Sequence, residues 1–169
     1  MLKARRAFDE GHQRKFLVIL DDTPECERAV VYAARRAERT GGGLSMLYVV
    51  PPSEFQHWLG VEEIMRAEAQ AEADATVDRY VGLLRARGLS LTPERLVREG
   101  TALEEITQLI HDDEDIAILV LGGGLGKDGP GPLVSAVASG MAGGRGSGFP
   151  VPVTIVPGDM DDATIEAIA

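Results

Sequence analysis

The sequence predicts an α/β fold: a doubly wound, five-stranded parallel sheet of strand order 3-2-1-4-5, with helices on both faces. Short, nearly continuous apolar runs such as FLVIL and IAILVL have the length of strands buried on both faces of a parallel sheet. Helix-period segments alternate with these runs in the order βαβαβαβαβ, the pattern of an open parallel sheet. Right-handed crossovers then limit the winding to a doubly wound sheet.

Residues 1–14 read as an N-terminal extension, 15–158 as the domain, and 159–169 as a C-terminal tail. The first strand is KFLVIL, ending at Asp21. Thr23 and Pro24 supply an N-cap and a first-turn proline. The helix that follows puts Ala29, Val30, Ala33, Ala34 and Ala37 on one face, and Gly41, Gly42 and Gly43 stop it. Leu44 to Val50 form the second strand, closed by Pro51 and Pro52.

The connection PPSEFQHWLG holds the only tryptophan, Trp58. It either covers the mouth of a cleft or packs its aromatic residues on the next helix. That helix should run from Val61 to Arg87, with Ile64, Ala67, Ala71, Ala75, Tyr80, Val81 and Leu84 inward, and Gly88 ends it. Glu94 to Glu99 alternates like an edge strand. Thr101, with Glu104 three residues on, has the capping-box pattern. Ile116 to Leu121 is the fourth strand. A short helix from Pro132 to Met141 precedes a last strand, PVPVTIVP, whose marginal prolines suit a sheet edge. The tail has the pattern of a short terminal helix.

Composition narrows the function. With 44% hydrophobic residues in 169, the chain can bury a real core in one domain. A net charge of -10 argues against nucleic-acid binding, which relies on Lys and Arg against phosphates. No apolar run is long enough for a membrane span, and the charged N-terminus lacks the apolar core of a signal peptide. The expectation is a cytoplasmic protein. One cysteine, Cys26, excludes an internal disulfide framework; Glu25 and Glu27 beside it oppose a reactive thiolate. His12, His57 and His111 lack the spacing of a metal pair. No Ser/His/Asp or Cys/His grouping marks a catalytic centre.

The stretch LGGGLGKDGPGPLVSAVASG, residues 121–140, carries the functional question. Ligands of doubly wound sheets bind beyond the strand carboxyl ends at the switch point, here between the first and fourth strands. Asp21 and the stretch Gly122 to Lys127 would meet there. A P-loop is excluded: Lys127 follows Gly126, but Asp128 replaces the Ser/Thr and Leu121 the first glycine. Gly124, Gly126 and Gly129 match the dinucleotide fingerprint in spacing only, because they follow the fourth strand and Pro130 and Pro132 interrupt them. Two readings stay open. Backbone N–H groups of the loop converge on an anion, with Lys127 and the next helix terminus assisting, or the glycines merely turn the chain.

FLVILDDTPECERAVVYAARRAERTGGGLSMLYVV, IAILVLGGGLGK and PVPVTIVP, taken in order, resemble a universal stress protein domain over about Lys15 to Pro157. The resemblance implies a Rossmann-like sheet and a homodimer paired through the last strand, at Val151, Val153 and Ile155. In one branch of that family it also implies ATP at the switch point. Asp21 and Val49 then match the positions near the adenine, and Gly123, Gly126 and Lys127 the first half of a Gly-x2-Gly-x9-Gly-Ser/Thr phosphate loop. The second half departs: Ser135 stands for the glycine, Ala136 for the serine, and the spacing is one residue short. A Cβ at Ser135 crowds a phosphate, Ala136 removes a hydroxyl, and Pro130 and Pro132 remove N–H donors. The expected function is a dimeric stress-response binding or signalling module with a weak or altered ATP or AMP site, with magnesium if ATP is bound. The alternatives are a magnesium-dependent nucleotide hydrolase or phosphotransferase using Lys127, and a nucleotide-free module interacting through its acidic long helix.

Overall fold

A computed structural model describes residues 3–52, 60–142 and 149–169. Trp58 and His57 lie outside them, so the expectations for the aromatic connection do too. The order is β1 (Lys15–Ile19), α1 (Pro24–Thr40), β2 (Gly43–Val50), α2 (Val61–Ala86), β3 (Glu94–Glu99), α3 (Ala102–Asp112), β4 (Ile116–Gly123), α4 (Pro132–Ala142), β5 (Val153–Pro157) and α5 (Asp162–Ile168). The strands form one sheet of order β3-β2-β1-β4-β5 with every pairing parallel.

Period-2 alternation divides the core in two. Phe16, Val18 and Leu20 join Leu44 and Met46 under α1, α2 and α5. Leu17 and Ile19 join Leu47, Leu119 and Leu121 under α3 and α4. All five predicted inward residues of α1 are fully buried. Its caps also form as read: Thr23 accepts the Cys26 N–H at 3.3 Å, and Gly41 closes the helix at φ 67°.

Three readings change. The inward face of α2 is Ala73, Thr76, Val77, Tyr80, Val81 and Leu84. Ile64, Ala67, Ala71 and Ala75 are exposed instead. Alanine occurs around the whole circumference of α2, so its spacing does not single out a stripe; the bulkier Val77, Tyr80 and Leu84 set the face through packing. Thr101 is the N-cap of α3 but makes no side-chain cap hydrogen bond, so the capping box does not close. Finally, β4 continues through Gly122 and Gly123, because these pair with Val156 and Pro157 of β5.

Both ends of the chain dock on the domain. Arg5 donates to the carbonyls of Ile110 and Asp113, at 2.5 and 3.0 Å, and Ala7 is buried. In the tail, Asp161 caps α5, and Ile165 enters the core beside α1. Arg28 and Arg87 pair with Asp162, while Arg35 and Arg39 pair with Glu166. No helix among the described residues is long and apolar enough to cross a membrane.

Candidate functional site

Asp21 is the first exposed residue after β1. One of its carboxylate oxygens accepts the Thr23 N–H at 2.8 Å and the Thr23 hydroxyl at 2.5 Å, the pattern of an Asx turn. Thr23 in turn caps α1, so Asp21 acts as a turn residue, and its second carboxylate oxygen has no partner among the described residues. From α2, the Tyr80 hydroxyl donates to the Asp21 carbonyl at 2.8 Å. Arg79 pairs with Asp22 at 2.9 Å. The long helix thereby fastens the β1–α1 turn at the switch point. The contribution of Tyr80 was not legible in the sequence, where it reads only as a core aromatic.

The glycine stretch separates into two kinds of position. Gly122 and Gly123 lie on β4, and both are glycine because of packing. A Cβ on Gly122 would collide with the Glu25 carbonyl and stand 2.9 Å from the Cys26 nitrogen; one on Gly123 would stand 2.8 Å from Cγ2 of Ile155. Beyond β4, Gly126, Gly129 and Gly131 have φ of 125°, 78° and 107°. These are turn positions that L side chains rarely adopt. The loop also bonds to itself: Gly124 N–H donates to the Pro130 carbonyl at 3.0 Å, and Gly129 N–H to that of Gly126 at 3.3 Å. Two backbone donors are thereby turned inward rather than toward a ligand.

The remaining candidates, Val49, Lys127, Ser135 and Ala136, are not among the walls of the cleft between β1 and β4. Lys127 is exposed and has no ion pair among the described residues. Val49, near the end of β2, is half-buried against the α3–α4 core. Ser135 and Ala136 sit in the first turns of α4, where Ser135 N–H donates to the Gly131 carbonyl at 3.1 Å and its side chain is exposed. The cleft between β1 and β4 holds about 120 Å³, with Asp21, Thr23, Glu25, Gly122, Pro130 and Gly131 among its walls. A larger cleft of about 520 Å³ lies over the ends of β2 and β3, between Val50, Pro52, Met65 and Val97. It has no glycine loop and is not at the reversal of winding. The smaller cleft is, and ligand position in this architecture follows that reversal rather than volume.

Glu25 was missed as a wall of this cleft. Its place in the first turn of the helix after β1 was the available signal, since that turn faces the switch point. Burial pushes the Cys26 thiol up to about 11, while the hydrogen bond from the Asp21 N–H pulls the other way. Glu25 and Glu27 are not the cause. The Asp21 N–H donates to the Cys26 sulfur at 3.3 Å, so Cys26 is a packing residue under the turn. His12 pairs with Asp115 at 2.5 Å at the other end of the sheet. Among the described residues no three His, Cys, Asp or Glu side chains form a group able to hold a metal ion.

Comparison with known proteins agrees with this architecture. No curated protein matches the sequence. Among solved structures, the chain is similar to universal stress protein UspA from Lactobacillus plantarum, with a TM-score of 0.65, 20% identity, and 91% of this chain and 99% of that one covered. It is also similar to the Archaeoglobus fulgidus universal stress protein in complex with dAMP, at a TM-score of 0.55 and 19% identity, covering 85% of this chain and 97% of that one. An Arabidopsis thaliana universal stress protein family protein with AMP bound aligns at a TM-score of 0.54 and 16% identity, covering 85% and 91%. At these identities the likeness establishes the fold. A sequence model of the universal stress protein family matches residues 13–134. With β1 to β4 and the switch-point cleft inside that match, the chain belongs to the universal stress protein family.

Proposed function

We propose that this protein is a cytoplasmic, dimeric signalling module that binds an adenine nucleotide at the cleft between β1 and β4. The observation that carries the reading is Asp21, which has one carboxylate oxygen unpartnered among the described residues and lines the switch-point cleft together with Gly122, Pro130 and Gly131 of the glycine stretch. Relatives of the same fold hold AMP and dAMP, which supports the nucleotide class. Of the two nucleotides, AMP is favoured over ATP. The cleft is well below the ~300–1,000 Å³ of usual ligand pockets, and the loop has spent two N–H donors on itself. ATP with magnesium is the weaker ligand.

Calorimetric titration of nucleotide-stripped protein tests the reading: AMP binds at micromolar strength, and Gly126→Val weakens it at least tenfold. Absence of heat and of any thermal shift at millimolar AMP and ATP would overturn it and favour a nucleotide-free interaction module. The hydrolase reading requires magnesium-dependent turnover that disappears in Lys127→Ala.

Dimerisation is proposed through β5, an outer strand whose free edge is open to pairing. Ile155 is 48% exposed there and Val153 half-buried, whereas Val151 is inside the core and supports the strand from beneath. Ile155→Lys should give monomers in sedimentation; an unchanged dimer would move the interface elsewhere.

A further inference from the structure

Resting on the nucleotide reading, we infer that Glu25 is a specificity-determining residue of the switch-point cleft, whose carboxylate weakens binding as phosphates are added to the nucleoside. Three observations place that carboxylate against the loop a phosphate would use. Glu25 lines the cleft together with Asp21. Its Oε1 lies 3.1 Å from where a Cβ on Gly124 would be, so it rests directly over the glycine loop. Its backbone lies close against Gly122 and Gly158, so the side chain starts beside the loop.

Among the described residues Glu25 has no ion pair and no side-chain hydrogen bond, while the nearby acids Glu27 and Asp22 are paired with Arg28 and Arg79. Lys127, the cation of the loop, pairs with no carboxylate among the described residues. A phosphate entering the loop meets Glu25 within a few ångströms, and two like charges at that distance repel strongly where water is partly excluded. An adenosine presents only hydroxyls there, to which a carboxylate is an acceptor. The same side chain therefore weakens AMP relative to adenosine.

The test compares adenosine and AMP by calorimetry on the full chain, in wild type, Glu25→Gln and Glu25→Ala. Glu10→Gln, exposed on the N-terminal segment, serves as a control for net charge. Thermal melting confirms that each variant folds. The expected result is adenosine binding at least as tightly as AMP in wild type. AMP should gain about tenfold in both Glu25 variants and adenosine should gain nothing. Equal gains for both ligands, or AMP binding unchanged by Glu25→Gln and Glu25→Ala, would overturn the role of Glu25 while leaving the nucleotide site standing. Neither ligand binding to any variant would overturn the nucleotide reading and this inference together. A gain for AMP in Glu10→Gln equal to that in Glu25→Gln would reduce the effect to overall charge and overturn the inference alone.

Discussion

The two halves of the glycine stretch look alike in sequence and differ in cause. Gly122 and Gly123 are glycine because neighbouring elements occupy the space of a Cβ, whereas Gly126, Gly129 and Gly131 are glycine because the backbone turns through positive φ with open space around it. The family spacing Gly-x2-Gly, met by Gly123 and Gly126, takes one residue from each class. A match to that spacing thus reports the path of the chain out of β4 as much as any anion site. The first half holds α1 and β5 to the sheet, and the second half shapes the mouth of the cleft.

Substitutions separate the two causes most clearly at Gly122. Gly122→Ala drives a methyl group into the backbone of the first turn of α1, which has no side-chain freedom to yield. We expect a loss of about 3 kcal/mol, the upper range for overpacking, seen in urea unfolding and as a melting point lower by roughly 6–12 °C. A loss under ~1 kcal/mol would mean that α1 shifts freely on β4. Gly126→Ala imposes a strained φ in an exposed loop and should cost about 1–2 kcal/mol without disturbing α1. Gly123→Ala meets only a methyl group of Ile155, which is half exposed and can rotate, so about 1 kcal/mol is expected. Lys127→Ala should change stability by less than ~0.5 kcal/mol while weakening AMP binding, since it supports neither packing nor turn.

Cys26 sharpens the same comparison chemically. Thiolate is the reactive species, and burial raises this thiol to about 11, so native protein at pH 8 should alkylate far more slowly than unfolded protein. The rate should climb as pH approaches 11. Because a Cβ on Gly122 presses on the Cys26 nitrogen, Gly122→Ala should accelerate labelling at pH 8 and Gly126→Ala should not. Equal acceleration in both would mean that the loop and the strand glycines act as one unit.

Much of this was open to reading in the sequence alone. Strand and helix order, the strand order 3-2-1-4-5, both outer strands and the caps of α1 follow from short-range rules. Apolar runs mark buried strands, a threonine before a proline caps a helix, and crossover handedness arranges the rest. Asp21 and the glycine stretch were brought to one place by topology. What only the tertiary structure decided depends on contacts between distant segments. The face of α2 was settled by what packs on it, because alanines on every side carry no direction. The tail found its place on α1 through pairs such as Arg28 and Asp162, separated by 134 residues. The roles of Gly122 and Glu25 exist only where α1 crosses the end of β4. Periodicity reports which side of an element is apolar; it does not report which distant atom will occupy the space a Cβ would need.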